Sequence, residues 1–287
     1  MGSAGDFDGD GLQDLAVISL SDNQPGSYPS DYVCGPSCGA EAGTTSCGTS
    51  INSTGALLVY RGQPDGTFGS LPAFTYYHDE KGDKIESVNA IGNVDGDPEG
   101  RSDLAIGSRY WDSPTTDAGG VRVVVGRAHT AGEGKIQVIC EASAPLYGSS
   151  TSAYAGRSAT PIGDLNQDGC DDFAFGEERD DTVNTDRGVV RIVLGSGAPT
   201  CPAAWTSLRL LPENDAKYTG WSVAGGEDVD GDGVPDLAVG IPTFTSGVKT
   251  GRVVLVSGAY IADLITSNTT EAPLNDPANV EARVIMG

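Results

Sequence analysis

The chain has 287 residues, of which 38% are apolar and 41 are glycine, and its 17 basic residues face 40 acidic ones for a formal net charge of -23. The length suffices for a sizeable core, and glycine at about twice its ordinary share of ~7% calls for many tight turns. So acidic a chain, with no Lys/Arg cluster, excludes nucleic acid and anionic lipid as partners and invites cations, and no stretch reaches the ~18 apolar residues of a membrane-spanning helix.

The first element is GDFDGDGLQDLAV, residues 5 to 17, in which Asp6, Asp8, Asp10 and Asp14 crowd around Gly9 and Gly11 and an apolar run follows at once. A stretch from 22 to 54 holds Cys34, Cys38 and Cys47 among Gly, Ser and Thr, and GALLVYRG and AFTYYHDE come after it. KIESVNAIG then leads into GNVDGDPEGRSDLAIG, where Asn93, Asp95, Asp97 and Asp103 repeat the pattern, followed by GGVRVVVG and KIQVICEA. AGRSATPIG precedes GDLNQDGCDDFAFG, with Asp164, Asn166, Asp168, Cys170 and Asp172, and then GVVRIVLG and TSLRLLPE. Last come TGWSVAGG, EDVDGDGVPDLAVG with Asp228, Asp230, Asp232, Val234 and Asp236, then GRVVLVSG and EARVIMG.

Four copies of one unit are therefore expected, at about 1–83, 84–154, 155–217 and 218–287. The interval from Asp14 to Gly55 exceeds its counterparts, Asp103 to Gly119, Asp172 to Gly188 and Asp236 to Gly251, by about 25 residues, which places an insertion in the first unit at 22–54. Short runs rich in Val, Ile, Leu and Tyr, bounded by Gly, Pro, Asp or Asn, read as strands. Several are apolar at nearly every position, so both faces of their sheet are covered. Four-stranded sheets stacked face to face around an axis satisfy this, which predicts an all-β fold, a β-propeller of four blades. A parallel β-helix would need a shorter repeat.

The acidic motif carries aspartates at relative positions 1, 3, 5 and 9 and glycine at 6, the pattern of a curled loop whose alternate side chains converge on a hard cation. Glycine at position 6 permits positive φ, and position 7 offers its backbone carbonyl, so Leu12, Cys170 and Val234 vary freely in side chain. One such copy is an ordinary Asp/Gly turn; four at matching points need something to offset carboxylate repulsion, and Ca²⁺ does so. An EF-hand would need Glu at position 12, which holds Val17, Leu104, Phe175 and Val239. The loops at Asp6 and Asp228 are complete, and the third trades one carboxylate for Asn166. In the second, Asn93 opens the motif, Pro98 takes the glycine position and two added residues displace the last aspartate to Asp103. Proline cannot adopt positive φ, so this fourth candidate site is expected to fold differently and to bind weakly or not at all. Three calcium sites are thus expected, with a fourth in doubt at 93–103.

DxDxDGxxDLAVG, preceded by a segment such as GWSVAGG and followed by GxVxVxxG, resembles the FG-GAP repeat of the integrin α-chain propeller, which also occurs in bacterial secreted proteins and in a glycosylphosphatidylinositol-specific phospholipase D. Thr219-Gly220 and Ala155-Gly156 stand in place of the Phe-Gly pair. The resemblance covers nearly the whole chain and implies an arc of a seven-bladed type of ring. Because only MGSAG precedes the first motif, the first blade is expected to lack its opening strand, leaving fifteen strands.

Connections in an up-and-down sheet alternate between its ends, so the 22–54 insertion emerges opposite the acidic loops. In integrin-like propellers that end resembles the ligand surface, and the insertion is the expected site of partner contact, although a loop pinned by disulfides is as consistent with it. Lacking CxxC pairs and nearby His, the six cysteines read as disulfides in an oxidising compartment, with Cys140 equally well a buried thiol. The expected role is an extracellular, cell-surface or periplasmic module, with calcium structural, that binds a protein or glycan ligand. The alternative is an accessory propeller of a larger secreted enzyme such as a phospholipase or hydrolase. MGSAGDFD has no secretion-signal pattern, so a piece of a longer chain is expected. Catalysis is not expected: His78 and His129 lie beside no nucleophile, and GWSVA around Ser222 lacks the second glycine of a nucleophile elbow. Trp111 and Trp221 read as blade packing before sugar stacking. Lys81-Gly82-Asp83 reads as a turn, and Asn52-Ser53-Thr54 and Asn268-Thr269-Thr270 match glycan acceptors.

Overall fold

A computed structural model describes residues 1–19, 32–34, 55–77, 84–112, 114–130, 136–139, 145–182, 185–197, 205–212, 216–245, 249–274 and 283–286. Its architecture is all-β, four mainly antiparallel sheets with one helix among the described residues. The first sheet runs Gly2–Gly5, Asp14–Ser19, Ala56–Tyr60 and Phe74–Tyr77; the second, Ser87–Gly92, Asp103–Ser108, Gly120–Val124 and Leu146–Tyr147. In the third the order is Ala155–Gly163, Asp172–Glu177, Val189–Val193 and Ser207–Leu211, and in the fourth Ser222–Glu227, Asp236–Thr245, Lys249–Val256 and Arg283–Met286.

The leading strands of consecutive sheets lie side by side: Gly2–Gly5 against Ser87–Gly92, that strand against Ala155–Gly163, and the latter against Ser222–Glu227. Each gap between sheets is filled by its own apolar cluster. Phe7, Leu57, Phe74, Val88, Leu104 and Ile106 fill the first. Ile91, Val121, Val123, Phe173 and Phe175 fill the second, and Ile162, Val190, Ile192, Leu237, Val239 and Val254 the third. Three gaps between four sheets make an open arc among the described residues.

Continuous apolar runs and double burial coincide where the reading placed them. Asp103–Ser108 and Asp172–Glu177, in the middle sheets, are buried at every position. Ser222–Glu227, in the last sheet, is exposed or partly so everywhere except Val223. Contact between sheets depends on glycine at matching points. A β-carbon on Gly107 would overlap the Gly156 carbonyl, and one on Gly176 the Gly220 carbonyl, while Gly156 and Gly220 sit at φ 91° and 80°. In the fourth sheet the equivalent Gly240 faces only the movable hydroxyl of Ser222 at close range and lines an open groove of about 370 Å³ with Trp221, Ile241, Pro242, Arg252 and Val253.

Four expectations change. The first sheet does have an opening strand: Gly2–Gly5 pairs antiparallel with Asp14–Ser19, because strand pairing needs backbone groups rather than β-rich side chains. The KIQVI segment, expected as the fourth strand of the second unit, instead lies parallel to Phe74–Tyr77 of the first sheet as Ile136–Ile139, and Tyr32–Cys34 from the insertion lies parallel beyond it. Leu146–Tyr147 takes the edge place in the second sheet. Glu271–Pro273 likewise adds in parallel to the third sheet, so that two sheet edges are covered by strands from the next unit. With a pair such as Ala216–Lys217 against Asp236–Thr245 as well, the described residues hold twenty strands, not fifteen. The helix Gly258–Thr266, where strands alone were expected, buries Ile261 into the cluster between the third and fourth sheets.

Candidate metal centres

Each acidic loop joins the first two strands of its sheet and is built by one repeated set of bonds. The aspartate at position 9 is the anchor. Its two oxygens accept the backbone N–H of position 2 and that of a distant glycine: Phe7 at 3.0 Å and Gly62 at 2.8 Å for Asp14, Val94 at 2.8 Å and Gly126 at 2.7 Å for Asp103. For Asp172 the donors are Leu165 at 3.0 Å and Gly195 at 2.9 Å, and for Asp236 Val229 at 2.8 Å and Gly258 at 2.9 Å. All four aspartates are buried. The four glycines close the runs GALLVYRG, GGVRVVVG, GVVRIVLG and GRVVLVSG, so the sequence carried a signal for them, the glycine that ends each run; its bond to the anchor spans from 22 to 48 residues and is not readable locally.

Position 1 curls the loop. Asp6 accepts N–H bonds from Gly9, Asp10 and Gly11, and Asp228 from Gly231, Asp232 and Gly233, at 2.7–3.2 Å. Asp164 accepts from Asp168 and Gly169. The carboxylate at position 5 accepts the N–H of position 7, from Leu12 to Asp10, Cys170 to Asp168 and Val234 to Asp232. Position 6 has positive φ at Gly11, Gly169 and Gly233, as expected, and position 4 does too, at Gly9, Gly96, Gln167 and Gly231. In the second loop Pro98 forces the change: positive φ moves on to Gly100, Asn93 spans Asp97 with both amide atoms, and Arg101 lies 3.7 Å from Asp97.

Carboxylate oxygens of Asp6, Asp8 and Asp14 lie within 4.8 Å of one another, and so do those of Asp228, Asp230 and Asp236. These trios are positions 1, 3 and 9. The second and third loops have an amide at one of those positions, Asn93 or Asn166, and hold two carboxylates there with Asp95 and Asp103, or Asp164 and Asp172. Burial pushes Asp14 up to about 6, Asp172 to about 7 and Asp103 to about 8, against the pull of the backbone N–H groups; Asp8 and Asp95 are also raised, first by burial. Buried, mutually repelling, all-oxygen donors fit a hard divalent cation, which would make their ionised form favourable. In the first loop a cation is already in contact with the donors: the Arg61 guanidinium bonds Asp10 at 2.6 Å and contacts Asp8.

Cys170 is a free, buried thiol pushed up to about 11 by burial and then by Asp168, which corrects a disulfide framework of all six cysteines. It packs toward Gly96 of the neighbouring loop. Cys38, Cys47, Cys140, Cys201, His78, the KGD tripeptide, Asn52-Ser53-Thr54 and nearly all of the 22–54 insertion lie outside the described residues. Asn268 is exposed.

At the opposite ends of the sheets, where Ala155 pairs with Glu177 and Ser222 with Gly240, arginines and aromatics alternate. Arg109 covers Tyr110, Tyr110 meets Tyr154, Arg179 lies between Tyr154 and Tyr218, and Arg157 stacks 3.8 Å from the ring centre of Trp221. Trp221 and Tyr110 are exposed, whereas Trp111 is buried against Tyr147, as packing predicts.

Residues 219–256 match the FG-GAP repeat family model. The chain is 27% identical over 271 residues to integrin alpha pat-2 of Caenorhabditis elegans, covering 89% of this chain and 19% of that protein. Against integrin alpha-PS2 of Drosophila melanogaster it is 35% identical over 161 residues, 53% of this chain and 11% of the relative, and against integrin alpha-7 of Rattus norvegicus 31% over 194 residues, 65% and 15%. It thus spans less than a fifth of the length of these relatives.

Proposed function

We propose that this FG-GAP, integrin α-like propeller is a calcium-stabilised extracellular module for adhesion or ligand binding, without catalytic chemistry of its own. The observation that carries the calcium reading is the recurrence of a buried position-9 aspartate held by two backbone N–H groups, with carboxylate trios in the first and fourth loops. A bound divalent ion supplies positive charge and six to eight oxygen bonds. The chain's own part is to hold Asp6, Asp8, Asp10 and Asp14, and Asp228, Asp230, Asp232 and Asp236, in register, with the carbonyls of Leu12 and Val234 as further donors. Asp164, Asn166, Asp168, Cys170 and Asp172 form a third site; Asn93, Asp95, Asp97 and Asp103, with Arg101 close by, a weak or idle one.

Partner contact is assigned to the end opposite the loops. The exposed Tyr110 and Trp221 and the arginines beside them support it, since aromatic and Arg side chains are enriched at interfaces. The partner is an extracellular protein or glycan. Calorimetric titration with calcium is expected to show about three sites, and excess chelator to lower the unfolding temperature, because a ligand held only by the folded state stabilises it. No heat and an unshifted melting curve would refute the reading.

A further inference from the structure

Resting on the calcium reading above, we propose that Arg61 is a built-in counter-ion of the first loop, competing with calcium for Asp8 and Asp10, so that this loop binds calcium less tightly than its carboxylates alone would and keeps its shape when calcium is scarce. The arginine directly follows strand Ala56–Tyr60 and precedes Gly62, whose N–H holds Asp14 at 2.8 Å. The residues before the equivalent glycines Gly126, Gly195 and Gly258 are Val125, Leu194 and Ser257, so a charge at this place belongs to the first unit alone.

Geometry makes the group both effective and displaceable. Nη2 of Arg61 lies 2.6 Å from Asp10 Oδ2, and Nε contacts Asp8 Oδ2, on a carboxylate whose side chain is 1% exposed. The arginine side chain itself is 42% exposed, so its far end can swing into water without unpacking a core. Asp8 belongs to the trio that faces a common point, and Asp10 adds the position-5 oxygens. A guanidinium and a divalent ion sharing these two carboxylates repel each other, so calcium entry requires Arg61 to leave. The cost of breaking a charge-assisted pair is subtracted from the affinity of the first loop.

Amide resonances read the loops separately, because Gly11 and Gly233 donate to the position-1 aspartates at the same distance, 2.9 Å. In a calcium titration followed by NMR, Arg61→Gln is expected to lower the Gly11 midpoint at least about tenfold. It should leave the Gly233 midpoint in place, and lower the melting temperature in chelator but not in saturating calcium. Arg61→Lys, which keeps the charge and loses the fork, should fall between. A Gly11 midpoint unchanged in both variants, with Gly233 titrating as in the parent, overturns the role of Arg61 and leaves the calcium reading intact. If neither amide responds to calcium in the parent, the calcium reading falls and this inference with it.

Discussion

The third and fourth sheets have closely similar sequences and unequal surroundings. DFAFG and DLAVG follow their acidic loops, and GVVRIVLG and GRVVLVSG come next, yet the third sheet is covered on both faces and the fourth on one. Val190 and Ile192 pack toward the fourth sheet while Phe173, Phe175 and Val193 pack toward the second. In the fourth, Val239 and Val254 are buried while Val253 is 38% exposed. Burial is thus a property of place in the stack, and an apolar run records the surface it is made to meet.

Substitutions at matched positions sharpen this contrast. Gly176→Val is expected to be the most damaging, at more than about 4 kcal/mol, because its side chain would be driven into the backbone of Gly220; Gly240→Val, facing a rotatable serine, should cost about 1 kcal/mol or less. Urea denaturation of both variants checks the pair, and equal losses would break the comparison. Next comes Phe173→Ala, expected to cost about 3–5 kcal/mol, whereas Val253→Ala should change stability by less than about 0.5 kcal/mol.

The third prediction concerns pH. Asp172, raised to about 7, and Asp103, raised to about 8, bind a proton more tightly in the folded chain than in the unfolded one. Their proton-linked stability is therefore complete below about pH 4 and is lost as pH rises through about 8 in calcium-free protein. Melting in chelator between pH 5 and 8 should show this decline, calcium should abolish it, and Asp172→Asn should shrink it. The smallest effect is expected from Trp221→Ala: stability within about 1 kcal/mol of the parent, and a selective loss of ligand binding once a ligand is found.

Much of the fold was legible because it is repetitive. The acidic motif and the glycine-led run mark two paired strands in every unit, and the complete loops at Asp6 and Asp228 are the two that gather a carboxylate trio. Long-range relations were not legible. Nothing in KIQVI says which sheet receives it, since a parallel edge pairing depends on where the preceding unit leaves its outer strand. GSAG has no β-forming side chains, and its pairing is carried by the backbone. GAYIADLIT begins after Ser257, an ordinary N-cap residue that makes no side-chain cap here, and has no acidic residue in its first turn, so its helix-start signal is a single serine. The pairing of Arg61 with Asp10 spans 51 residues and is not readable locally.

The strands that cross from one unit to the sheet before it have a consequence for how the molecule comes apart. Ile136–Ile139 clasps the first sheet, and Glu271–Pro273 clasps the third, each as a lap joint over the boundary between units. Cutting the chain at 218 would leave an intact third repeat with the Ser207–Leu211 edge bare, so clean excision of single blades is barred, and neighbouring blades should melt in interlocked pairs.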